Sequence, residues 1–176
     1  MIRHLGIAVA AACGGTDAAP IDAPSRDAPP PCDAQSLAIG RCVTDAGAAC
    51  TGALDEARRF EAAAAGADVP LVVGPQGSAM LIFAVATTGI VAGDPADPTA
   101  TDNPQLELIV SRAGTELALY RGRMGFTDQA GQQVAAGLFA IVEDTGLDGV
   151  ALAAHAALID RAGAQRCGDW TFVARR

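Results

Sequence analysis

The chain runs to 176 residues with a formal net charge of −8. That leaves room for one domain, or two very small ones, and argues against a nucleic-acid partner, whose phosphates need a basic patch. All twelve cationic side chains are arginines, so Walker phosphate loops, Schiff bases and Ser-x-x-Lys pairs are excluded for want of lysine.

The chain opens on Met1-Ile2-Arg3-His4, a short positive start, followed by an apolar run over residues 5–12 broken only by Gly6. The run is too short to span a bilayer and has the length of a signal-peptide apolar region. Ala10-Ala11-Ala12 supplies small residues for cleavage, and Cys13 stands directly after them. Residues 1–12 therefore read as a signal peptide. Cys13 resembles the lipidated cysteine of a bacterial lipobox, with Ala10 where leucine is usual. Gly14, not aspartate, follows it, which points to the outer membrane. The competing readings are plain secretion with Cys13 as a spare thiol, or a short buried strand or helix.

Residues 14–33 read GGTDAAPIDAPSRDAPPPCD. Ile21 is the sole large apolar side chain there, so the segment buries too little surface to offset its ordering entropy. Proline makes it an extended, semi-stiff spacer. Residues 13–35 are thus expected to be a disordered tether. Leader and tether together resemble uncharacterised lipoproteins of GC-rich Gram-negative genomes, which carry Asp/Ala/Pro tethers ahead of a β-sandwich. The resemblance implies a membrane held through an N-terminal lipid and a sandwich domain, and brings no activity with it.

Five cysteines leave one over in an oxidising compartment. With Cys13 lipidated, Cys32, Cys42, Cys50 and Cys167 form an even set that export permits to pair. No Cys-x-x-Cys occurs, which disfavours zinc. One scheme joins Cys42 to Cys50 and Cys32 to Cys167; the crossed scheme joins Cys50 to Cys167 and Cys32 to Cys42.

Residues 36–176 read mainly as strands. Residues 54–65 (LDEARRFEAAAA) are the exception, rich in helix formers and ended by Gly66, so one short helix is expected there. Residues 69–73 and 78–88 flank Gly74-Pro75-Gln76-Gly77, a type I turn signal. Residues 105–111 alternate, with Leu106, Leu108 and Val110 on one face, and turn back at Arg112-Ala113-Gly114. Residues 134–143 and 149–160 flank a second turn-rich gap. Residues 150–159 are alanine-heavy enough for a helix, yet Val150, Leu152, Ala154, Ala156 and Leu158 share one parity, which favours a strand. A hairpin signal, Asp160-Arg161-Ala162-Gly163, follows and leads to Trp170-Thr171-Phe172-Val173. Seven or eight short strands indicate an all-β, two-sheet immunoglobulin-like sandwich, with a small closed barrel as the alternative.

The chemistry is sparse. After leader removal His155 is the sole histidine, which excludes sites needing two imidazoles. A Ser-His-Asp arrangement would have Ser78 or Ser111 as nucleophile, but neither sits in Gly-x-Ser-x-Gly. His155 falls on the parity opposite Leu152 and Leu158, facing solvent or a sheet partner. Glu107 and Glu116 flank one hairpin and are candidates to face each other, although a charged exposed face explains them as well. Residues 93–104 gather Asp94, Asp97, Asp102 and Asn103, oxygen ligands of the kind calcium takes; three prolines make a stiff connector the competing reading. No cofactor is indicated. The expected function is a lipid-anchored envelope protein whose sandwich binds, adheres or serves structurally, with a protein or glycan partner unspecified. An envelope hydrolase using carboxylates or Ser78 with His155 is one alternative, and a secreted inhibitor or accessory subunit the other.

Overall fold

A computed structural model describes residues 36–53, 56–74, 76–142 and 146–176. The leader, Cys13, the tether and Cys32 lie outside the described residues. Eleven strands among those described form two sheets. The first is ordered β2 (Arg58–Glu61), β1 (Leu37–Thr44), β5 (Ala79–Thr87), β9 (Gln132–Val142) and β8 (Thr127–Gln129), with the short β4 (Val72–Val73) also on β5. The second is ordered β3 (Ala67–Pro70), β11 (Gln165–Arg175), β10 (Ala151–Ile159), β6 (Gln105–Arg112) and β7 (Thr115–Arg123).

Omitting β2, β3 and β4, the strands taken in chain order give A-B-E-D in one sheet and G-F-C-C′ in the other, the strand order of an immunoglobulin-type sandwich. The inter-sheet disulfide of antibody domains has no counterpart, since β10 carries no cysteine. An aromatic cluster stands near the centre instead: Phe83 of β5 meets Trp170 and Phe172 of β11 edge-on, at centroid distances of 6.3 and 5.3 Å. Leu81 and Val85 extend this core on one side, Leu106, Leu108 and Val110 on the other.

The expected two-sheet sandwich is present, but with more strands than the seven or eight expected, because the segment between β1 and β5 contributes three short ones. The helix expected near residues 54–65 is absent from the described residues: Arg58–Glu61 are β2, antiparallel to β1 with Phe60 opposite Cys42. Pairing with an existing strand satisfies the backbone and buries Phe60 together, which outweighs the local propensity of an alanine-rich stretch. Residues 151–159 are a strand, with Leu152 and Leu158 in the core. The first sheet also curls towards closure. Gln129 of β8 accepts a bond from Phe60 N and donates to Arg58 O, both 3.3 Å, so its side chain links the two outermost strands.

Candidate functional site

Strand β5 is buried at every position. Its odd residues enter the sandwich, while Met80, Ile82 and Ala84 belong to a second apolar cluster with Cys42, Cys50, Phe60, Val72, Ala136 and Phe139. The outer face of the first sheet therefore carries a small core of its own. Phe60 and the Cys42–Cys50 disulfide, whose Cα atoms are 5.5 Å apart, belong to this cover. Gly40 makes room for it: a Cβ there would lie 2.7 Å from the Phe60 ring. The crossed disulfide scheme is excluded by this pair. Cys167 is buried in β11, and its expected partner Cys32 lies outside the described residues.

The cover is incomplete. A groove of about 400 Å³ remains, lined by Met80, Phe139 and Ile141, by Gly52 and Gly74, and by the polar side chains of Gln76, Ser78 and Arg58. Ile141 is 65% exposed. Arg58 places its guanidinium 5.2 Å from the Phe139 ring centroid and donates from Nη2 to Ala53 O at 2.8 Å. A β-bulge in β9 seats it. The register with β5 slips after Phe83, leaving Gly137 extra at φ 87°, and a Cβ at Gly137 would collide with that guanidinium.

Glu56 fixes the loop ahead of β2. Its carboxylate accepts from Thr51 N at 2.9 Å, Gly52 N at 3.3 Å and Thr51 Oγ1 at 3.3 Å. Desolvation pushes its pKa up, but the Thr51 and Gly52 amides, the Thr51 hydroxyl and the Arg58 charge together hold it below the ordinary carboxylate value. Glu56 is thereby committed to its own loop. Arg58 Nε, 3.7 Å from Glu56 Oε2, is buried and has no hydrogen-bond partner.

Ser78 lines this groove, whereas His155 lies on the second sheet. The Ser78/His155 pair of the hydrolase alternative is therefore not assembled, since Ser78 lies just ahead of β5 in the first sheet, His155 lies in β10 of the second, and the two line different depressions. His155 shares a shallow depression with Ser111, Asp169 and Thr171. Its Nδ1 lies 2.8 Å from Asp169 Oδ1, and its Nε2 is buried with no hydrogen-bond partner. An oriented imidazole is present, but Ser111 is not bonded to it. The strands around it already spend backbone amides on ladder bonds, which leaves few donors for an oxyanion.

Glu107 and Glu116 do not face each other. The turn sets Glu116 against Ser111, while a bulge between Val110 and Ser111 shifts the register beyond it so that Glu107 meets Arg121, 2.6 Å from its Nε. The residue 93–104 loop uses its oxygens internally. Asn103 Oδ1 accepts from Asp94 N at 2.7 Å, Asp94 Oδ1 from Ala96 N, and Asp97 Oδ1 from both Thr99 N and Thr99 Oγ1. Asp102 instead lies 3.8 Å from Arg161. The hydrogen bonds are those of a stiffened connector, and among the described residues no three His, Cys, Asp or Glu side chains gather as a metal site.

Sequence reasoning missed Arg58, Phe139 and Ile141. The signal available was β5 itself: AMLIFAV is continuously apolar, which marks a strand covered on both faces. Compared with protein-family models and with curated proteins, the chain matches none.

Proposed function

We propose that the chain is a lipid-anchored envelope protein whose sandwich is a non-catalytic binding domain. The observation that carries the binding part is the groove on the outer face of the first sheet. It is concave and apolar, with few polar groups at its margin, as small-molecule and peptide sites are. The anchor rests on Ala10-Ala11-Ala12-Cys13. The Cys42–Cys50 disulfide suits the oxidising compartment that export implies. Expression of the full chain with a palmitate analogue tests the anchor. Label and membrane association are expected for the wild type and lost in Cys13→Ser. Equal labelling of both, or release of both into the medium, contradicts it. Titration with Nile red, a dye that brightens in apolar sites, tests the binding part: saturable binding to one site is expected, and its absence contradicts the reading.

A further inference from the structure

We infer that the groove takes an aliphatic molecule ending in a carboxylate, its chain lying on Met80, Phe139 and Ile141 and its acid group at Arg58. This rests on the reading of the sandwich as a binding domain and names the ligand class. Three features of the groove select that class.

The floor is apolar and adaptable. Met80 has an unbranched thioether chain that conforms to what lies against it, and Ile141 is left open to solvent. At about 400 Å³ the space falls within the range of small-molecule sites. The groove also continues the outer core formed by Ile82, Ala84 and Phe60, so a chain laid there extends a packed apolar surface.

The one aromatic ring in the groove is already engaged. Arg58 covers a face of Phe139, which disfavours a planar ligand that would need that face for stacking. A flexible chain needs only contact.

One donor of the charged group at the margin lacks a hydrogen-bond acceptor. Arg58 Nη2 is used by Ala53 O, but Nε is buried without a hydrogen-bond partner, and Glu56, its ion-pair partner at 3.7 Å, is itself held by Thr51 and Gly52. A buried donor left unsatisfied is costly, and an oxygen acceptor relieves it. An ionised acceptor does so more strongly than a neutral one. A carboxylate at the end of the chain meets both demands, whereas an alcohol of equal length meets one.

The test uses the full chain carrying Cys13→Ser, so that no attached lipid competes, and follows displacement of Nile red by dodecanoate and by dodecan-1-ol below their aggregation limits. Dodecanoate is expected to displace the dye at least tenfold more effectively than the alcohol. Arg58→Gln should erase that preference while dye binding persists, and Arg58→Lys should keep part of it, since the charge remains without the planar fork. Ile141→Asp should weaken acid and dye alike. Thermal denaturation of each variant checks that the fold is kept. Equal displacement by acid and alcohol, or a preference unchanged in Arg58→Gln, overturns the inference. Dye binding that Ile141→Asp abolishes but dodecanoate never displaces overturns the ligand class and leaves the binding domain standing. Failure of the dye itself to bind overturns both.

Discussion

On the outer face of the first sheet, Met80, Ile82 and Ala84 of β5 sit in an apolar cluster with Phe60 and a disulfide. On that of the second, Ile109, His155 and Asp169 form a row with no apolar layer over it among the described residues. The strands record the difference. β5 is buried at all its positions, whereas β6 alternates between core and partly exposed residues. A strand apolar on both faces needs a second cover, and the chain supplies it from the segment between β1 and β5, which an ordinary A–B connection would not contain. That cover stops short of Ile141. The sandwich thus has one face finished by ion pairs and alternation, and one finished by a partial lid with a groove at its margin.

Truncation of the outward isoleucines is the strongest way to break this comparison. Ile82→Ala removes a side chain from the outer core and should cost about 3 kcal/mol in chemical denaturation. A cost near that of an exposed residue would mean that the outer cluster is not a core. Removal of the disulfide by Cys42→Ser with Cys50→Ser should cost about 2.5 kcal/mol on the chain-entropy model. It should also raise dye binding, as the lid loosens over Met80; unchanged stability and dye response together would show that the disulfide does not hold the lid.

The acid response of the lid sharpens the comparison further. The folded-state pKa of Glu56 lies below the ordinary glutamate value of 4.5, so its contribution to stability is present above that value and lost as pH falls through the folded pKa. The stability difference between wild type and Glu56→Gln should be constant above about pH 5 and shrink towards zero as the solution is acidified through the lower value. A difference that persists unchanged to pH 2 would deny Glu56 this role. The smallest effect belongs to the second sheet: Ile109→Ala, outward-facing and half-buried, should cost no more than about 1 kcal/mol.

The sandwich was legible because its signals are local. Alternation in residues 105–111 and the shared parity of Leu152, Ala154, Ala156 and Leu158 place one face inward whatever lies across from it. What was not legible depends on register. A four-residue turn at Asp160–Gly163 would set His155 against Gly168. The loop is one residue longer, closed by Asp160 N to Ala164 O at 3.1 Å, and His155 therefore meets Asp169. One residue of slip moves a side chain to the other face. The bulges after Val110 and at Gly137 act in the same way, moving Glu107 from Tyr120 to Arg121 and creating the seat for Arg58. Residues 54–65 misled for a different reason: alanine favours helix locally, and tertiary pairing with β1 decided the outcome.

The central claim, that the partly covered face binds and the other does not, is tested most directly by Nile red titration of three proteins in parallel. Wild type and Ile109→Asp should bind the dye equally. Ile141→Asp, which changes an exposed side chain and should leave stability within about 0.5 kcal/mol, should weaken binding at least tenfold. Equal binding by Ile141→Asp and wild type, or a loss in Ile109→Asp alone, would place the site elsewhere and contradict the account.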